Sequence, residues 1–240
     1  MFDSSVFGNT EYFKAFNTML GSLHAKVLSA NPTPFHQLLG RWAREGQLLR
    51  LYTQNIDGLE NNVSGLETTL NLGMKSPWPN TIQLHGDVNF IRCIKCPYIS
   101  KYESNLFDGG RFPECGQCLE EEKRRDQLGK RRRGLGFMRP RIVLYNEDNA
   151  DAEAIGAITK HDAMKRSKAD ILIVIGTTLQ IPDTQKMVKD FSKVVKRNKG
   201  QVVWINPLSE PPSAKDSRHV YDLVIRCSAD YIAGAIEADL

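Results

Sequence analysis

No apolar run in this chain of 240 residues is longer than the stretch Ile171-Leu172-Ile173-Val174-Ile175. A membrane-spanning helix needs roughly 20 such residues, so no membrane partner is expected. Met1 to Thr10 lacks both a basic start and an apolar block, so no secretory segment is expected there. Internal repeats are missing, and so are low-complexity tracts apart from one basic stretch, which removes solenoids and arrays. Cysteine is scarce: there are five, an odd number, and four of them fall in two C-x2-C pairs. Outside a secretory context that arrangement favours metal over a disulfide framework.

What is present suits a folded chain. With 41% hydrophobic and 25% charged residues the composition is globular, and the length fits one α/β domain carrying a satellite module. The net charge of +4 is unevenly placed. Between residues 119 and 141 nine Lys/Arg stand against four Asp/Glu, leaving 23 against 24 elsewhere. That segment contains Lys130 to Arg133, four consecutive cations. Such a run reads as a solvated loop, a nuclear address or a phosphate-contacting patch.

Phe13, Phe16, Leu20, Leu23 and Val27 recur at helical spacing, which predicts a helix beginning near Asn9 or Thr10. A second helix starts at Pro34, capped by Thr33, and stops at Gly46. Leu48 to Tyr52 reads as a strand ending in the polar cluster Thr53, Gln54, Asn55 and Asp57, the kind of strand end where open α/β sheets place ligands. Residues 77–140 are rich in Cys, Gly and charge and read as an inserted module. Alternation then resumes with strands at 141–145, 170–175, 201–205 and 221–226 and helices at 151–167, 183–197 and 230–238. Continuous apolar strands predict a doubly wound, Rossmann-like parallel sheet covered on both faces, formed by residues 1–76 and 141–240.

Cys93, Cys96, Cys115 and Cys118 have the spacing of a four-thiolate zinc site. Four thiolates close the coordination sphere, so Zn2+ here is expected to be structural. Cys227, alone at a strand end, reads as a small buried hydrophobe. Gly176-Thr177-Thr178-Leu179 follows the most apolar strand, where a glycine admits close backbone approach and two hydroxyls can meet phosphate or ribose. Asn206 and Cys227 occupy the ends of the next two strands, which makes a shared nucleotide site more plausible than three unrelated turns. His85, in Gln83-Leu84-His85-Gly86-Asp87, is expected at the seam between sheet and zinc module. His24, His36, His161 and His219 are read as ordinary surface or core residues.

The run Thr53-Gln54-Asn55-Ile56-Asp57-Gly58-Leu59-Glu60, followed by Leu84-His85-Gly86, the paired C-x2-C motifs, Gly176-Thr177-Thr178-Leu179 and Trp204-Ile205-Asn206, resembles the sirtuins, NAD-dependent protein-lysine deacylases. Phe2-Asp3-Ser4-Ser5 and Leu179-Gln180-Ile181-Pro182 look most like the nuclear, histone-directed fungal branch. The resemblance implies removal of acetyl groups from histone or other protein lysines, with nicotinamide and O-acetyl-ADP-ribose as products. It implies that Asp57 and the Ile56 backbone hold the nicotinamide carboxamide, and that Gln54 and Asn55 line the adjoining ribose, with Asn55 counted as catalytic beside His85. His85 would be general base on a ribose hydroxyl, a task suited to histidine's pKa. Gly176, Thr177 and Thr178 would meet NAD phosphates or ribose, and Asn206 and Cys227 the adenosine half. Val143, Leu144, Tyr145, Asn146 and Glu147 match the segment that pairs with the substrate backbone. Asn146 stands where the family usually has glycine, and Asn accepts positive φ.

Sirtuins also open with a strand, a glycine-rich loop and an Asp-Phe-Arg segment that cradle the pyrophosphate. This chain starts after them, and its nearest match, Gly134-Leu135-Gly136, precedes a strand instead of following one. The expectation is a Rossmann-like fold without its first βα unit and with exposed sheet edges. Intact Gln54, Asn55, Asp57 and His85 favour a fragment of an active enzyme. The rivals are a catalytically impaired zinc and chromatin-binding protein, and a zinc-ribbon nucleic-acid binder acting through Lys130 to Arg133.

Overall fold

The computed structural model describes residues 2–107, 112–164, 167–212 and 220–238. Asn9 caps α1 (Thr10–Ser29), its side-chain oxygen accepting from the Glu11 and Tyr12 N–H groups. Phe13, Phe16 and Leu20 on its inner face join Val88, Ile91 and Met138 in one core, as their spacing predicts. α2 (Pro34–Arg44) begins on a proline, and the preceding Thr33 N–H donates to His36 Nδ1 at 3.2 Å, so that histidine braces a helix start. Phe35, Leu38 and Leu39 pack on Val63, Leu66 and Ala233.

β1 (Leu51–Thr53) runs parallel to β2 (Thr81–Gln83). β3 (Gly86–Cys93) then pairs antiparallel with β4 (Ile99–Lys101) on one edge and β5 (Met138–Ile142) on the other, with α3 (Gly116–Gln127) between β4 and β5 in sequence. Beyond α4 (Ala152–Asp162), β6 (Ile171–Ile175), β7 (Gln201–Ile205) and β8 (Leu223–Ile225) form a second parallel sheet, with α5 (Pro182–Arg197) crossing from β6 to β7 and α6 (Ala229–Ala238) closing the chain. Among the described residues no ladder joins the two parallel groups. None of the described helices is long and apolar enough to cross a membrane.

Several expectations change. The strand predicted at 141–145 lies at Met138–Ile142 and belongs to the small antiparallel sheet, where Pro140, which has no N–H to donate, sits on an edge strand. The helix predicted over 151–167 ends at Asp162, and residues 165 and 166 lie outside the described residues, as does His219. β6 is less covered than its apolar sequence predicts: Ile171 is 58% exposed, and among the described residues β6 pairs with β7 alone. α3 was not foreseen, since twelve residues with Cys118 alone buried give no apolar period.

Candidate functional site

The end of β1 turns the chain into a cleft of about 1710 Å³ whose walls include Gln54, Asn55, Ile56, Asp57 and His85. Thr53 is buried and its hydroxyl accepts from the Asn55 N–H at 3.1 Å, which fixes the turn. Asn55 itself is exposed to the cleft, and its side chain has no partner among the described residues. Gln54 is clamped at both ends of its amide: Nε2 donates to Thr184 Oγ1 at 3.0 Å and Oε1 accepts from Thr177 Oγ1 at 2.8 Å. One side chain thereby ties β1, the loop after β6 and the start of α5 together.

His85 stands just before Gly86, whose φ of +85° and whose hypothetical Cβ, 2.1 Å from the Arg141 carbonyl, exclude any side chain there. The His85 Nδ1 lies 3.1 Å from the Gln54 carbonyl oxygen. A carbonyl can only accept, so Nδ1 carries the proton and Nε2 is left with its lone pair free. The half-buried ring is therefore oriented for proton abstraction at one defined atom.

Asp57 accepts from the Leu59 N–H through Oδ1 at 3.2 Å, leaving Oδ2 without a partner among the described residues. Its carbonyl is held by Asn89 Nδ2 at 2.8 Å, and the same amide reaches the fully buried Asp87. The Ile56 carbonyl accepts from Val88 N–H at 2.8 Å. Asn89 and Thr184 were not singled out in the sequence. Their signal was available for Asn89, because Gln83, His85, Asp87 and Asn89 alternate with less polar residues at the period of a strand. Thr184 gives no such signal.

Thr177 and Thr178 line the cleft, whereas Gly176, Asn206 and Cys227 are not among its lining residues. Gly176 has φ +66° and is exposed. Asn206 is buried and braces the neighbouring loops: Nδ2 donates to the Thr177 carbonyl at 3.1 Å, and Oδ1 accepts from the Leu208 and Ser209 N–H groups. Cys227 is half-buried.

Residues 143–147 form one wall. Tyr145 already pairs with the chain's own residues 2–4, its N–H donating to Phe2 at 2.8 Å and its carbonyl accepting from Ser4 N–H at 3.0 Å. Asn146 adopts φ +61°, the conformation anticipated for a residue in a glycine position, and donates to Asp3 Oδ2 at 2.7 Å. The Glu147 carboxylate is turned away into an ion pair with Arg139 and accepts from the Leu144 N–H at 3.2 Å, shaping the wall from behind.

Cys93, Cys96, Cys115 and Cys118 present sulfurs that all lie within 4.8 Å of one another. Cys93 and Cys118 are 3.8 Å apart, Cys96 and Cys115 3.6 Å. Zinc–sulfur bonds of about 2.3 Å in a tetrahedron put sulfurs about 3.8 Å apart, so the group fits one zinc ion. Burial pushes the Cys115 thiol up to about 12. Burial acts the same way on Cys93, but the Cys96 and Lys95 N–H groups prevail and hold it at about 7. A Cβ on Gly136 would stand 2.4 Å from the Cys93 sulfur, so the returning chain packs directly on the knot.

Residues 1–183 match the Sir2 family. The chain belongs to that family. Among curated sirtuins, the NAD-dependent protein deacetylase hst4 of Emericella nidulans is 41% identical over 97% of this chain and 39% of its own length. The protein of the same name from Schizosaccharomyces pombe is 40% identical, with coverage of 94% and 53%. The NAD-dependent histone deacetylase HST4 of Saccharomyces cerevisiae is 36% identical, with coverage of 98% and 65%, so the chain spans roughly two fifths to two thirds of these relatives. The likeness to the fungal, histone-directed branch is thus found. Among solved structures, Sir2Tm bound to a propionylated peptide aligns with a TM-score of 0.69 at 20% identity, covering 99% of this chain and 82% of that one. A Sir2–p53 peptide–NAD+ complex aligns at 0.67 and 21%, covering 100% and 82%. Both establish the Rossmann-like sirtuin fold.

Proposed function

We propose that the chain carries the catalytic site of an NAD-dependent protein-lysine deacetylase whose substrates are acetylated lysines of histone tails in the nucleus. The observation that supports this reading most is His85, with one ring nitrogen committed to the Gln54 carbonyl and the other open in a cleft shared with Asn55 and Asp57. NAD, when bound, supplies the ribose carbon that gives up nicotinamide and takes the acetyl oxygen. His85 Nε2 receives a ribose hydroxyl proton, and the Nδ1 bond to Gln54 keeps the ring in place as it becomes charged. Asp57, whose Oδ2 is open, and the Ile56 backbone would hold the nicotinamide carboxamide. Asn55 orients the ribose, and Gln54, held by Thr177 and Thr184, fixes the height of that floor.

In this reading Gly176, Thr177 and Thr178 serve the phosphates or ribose, Asn206 and Cys227 the adenosine half, and the wall from Val143 to Glu147 an extended peptide, which takes the place of residues 2–4 on Tyr145. Residues 1–76 and 141–240 form the NAD-binding part, to which β2, inside residues 77–140, adds a strand parallel to β1. Residues 77–140 form the small module, whose zinc holds structure and does no chemistry because four thiolates leave no open position.

Incubating the purified protein with NAD and an acetylated histone-tail peptide tests the proposal. Lysine is expected to be freed only when NAD is present, and His85→Ala is expected to slow this by about 100- to 10,000-fold without loss of folding. A well-folded protein that leaves the peptide acetylated contradicts it.

A further inference from the structure

The basic segment after the zinc ligands belongs to no part of the cleft, yet it is built and not loose. α3 follows Cys115, its N-cap residue, and is closed by a left-handed glycine: Gly129, at φ +60°, donates to the Asp126 carbonyl, and Lys130 N–H donates back to the Arg125 carbonyl at 2.9 Å. This is the Schellman closure of a helix. Past it, the Arg131 carbonyl accepts from Arg125 Nε at 2.8 Å, the Arg133 N–H donates to Glu122 at 2.7 Å, and Lys95 Nζ holds the Gly134 carbonyl at 2.6 Å. Gly136 then seats the chain on the sulfurs of Cys93 and Cys118. Both ends of the arm are thus fixed by the four-cysteine knot.

The pairing inside the arm decides its outward charge. Glu121 is engaged by Arg124, Asp126 by Arg132 and Glu122 by the Arg133 backbone. Lys123, Lys130, Arg131 and Arg133 make no side-chain ion pair among the described residues, and all four are exposed. Two carboxylates stand against these four cations: Glu120 makes no bond among the described residues, and Glu122, bonded only to a backbone N–H, makes no ion pair among them. Arg125 is turned inward onto the Arg131 carbonyl and lies 3.9 Å from Glu121, and the remaining cations counted in the sequence segment, Arg139 and Arg141, are buried against Glu147 and Asp151 and contribute nothing outside.

We propose that this helix-and-loop arm is a docking surface for duplex DNA, which it meets through the phosphate backbone. A surplus of fixed, unpaired cations with their backbone already bonded matches a rigid polyanion. Capture as an extended basic peptide, the mode of a nuclear address, would first require breaking the bonds at Lys130, Arg131 and Arg133. Single strands are disfavoured because base stacking needs aromatic platforms, and Phe137, 41% exposed, is the exposed aromatic of residues 112–138. The inference does not rest on the deacetylase reading and stands or falls apart from it.

The test is fluorescence anisotropy of a short labelled duplex of arbitrary sequence with the zinc-loaded protein. With four phosphates neutralised, affinity should fall on the order of 100-fold between about 50 and about 200 mM salt. The variant carrying Lys123→Gln, Lys130→Gln, Arg131→Gln and Arg133→Gln should lose at least tenfold in affinity and most of that salt dependence. A control with Lys14→Gln, Lys75→Gln, Lys168→Gln and Lys189→Gln removes the same charge elsewhere and should bind nearly as the parent does. Equal losses in the two variants, binding indifferent to salt, or preference for an acidic peptide over the duplex would overturn the proposal. Unchanged melting temperatures confirm that both variants are folded.

Discussion

The helix beside the cleft and the helix on the zinc module are attached by different means. α5 is amphipathic and buries Val188, Val194 and Val195 along one face, so hydrophobic burial holds it to the sheet. α3 has the same kind of backbone but buries Cys118 alone. With no apolar seam, α3 depends on Cys115 and Cys118 and on the Cys115 N–H bond to the Gly136 carbonyl. Where a segment is too polar to form a core, a ligand set takes that role, and the exposed face is then free to carry charge.

Removing the metal should have the largest effect, and it should fall on α3 and not on α5. Structural zinc in small modules contributes about 10–16 kcal/mol of apparent binding free energy. The protein should contain one zinc, and chelation or Cys118→Ser should abolish hydrogen-exchange protection over α3 while leaving α5 protected. Protection over α3 that survives chelation would show that burial, and not the metal, holds it.

The parallel half has its own polar weak point. Asp162, with a side chain 3% exposed, receives Arg50 Nε at 2.8 Å and the Tyr52 hydroxyl at 2.7 Å, tying α4 to β1. Burial raises this carboxyl, but those two donors outweigh it and hold the pKa below 3.8. A depressed folded pKa stabilises above the unfolded pKa and is lost as pH falls through the folded one. Asp162→Asn should therefore cost about 3–5 kcal/mol near neutrality, because Arg50 is left buried and unpaired. In urea melts the gap between the two proteins should narrow below about pH 4. A gap that stays constant as the pH is taken further down, through the folded pKa of Asp162, would contradict the ion-pair account.

Smaller effects sharpen the same contrast. Thr184→Val removes one of the two bonds to Gln54, and about 1 kcal/mol for a neutral hydrogen bond predicts roughly a fivefold rise in KM for NAD. The rate at saturation should stay unchanged. Arg132→Gln breaks an exposed pair with Asp126 and should leave the melting temperature where it was.

The parts legible in the sequence were those with strong local chemistry. The cysteine spacing, the Thr33-Pro34 helix start and the strand from Ile171 to Ile175 all stand where their residues indicate. α3 left no apolar period to read, because Cys118 alone is buried; its only helical signal was the i,i+3 and i,i+4 spacing of Glu121 with Arg124 and Arg125. The shift of β5 to Met138–Ile142 was illegible because its partner β3 is distant in sequence and sets its register. At the site, the run from Thr53 to Glu60 announced itself, whereas Thr184 acts only through contact across the fold. The basic run read as a single charge block, and the structure divides it into paired and unpaired cations.

In the proposed reaction one cleft, with His85 Nε2 as its base, transfers acetyl from lysine to the NAD ribose. Mass spectrometry of the small-molecule products tests it most directly. The parent protein with NAD and acetylated histone peptide should form O-acetyl-ADP-ribose in step with nicotinamide, and His85→Ala should form neither at a comparable rate. Product formed equally by His85→Ala, or nicotinamide released without any acetylated ribose, would contradict the account.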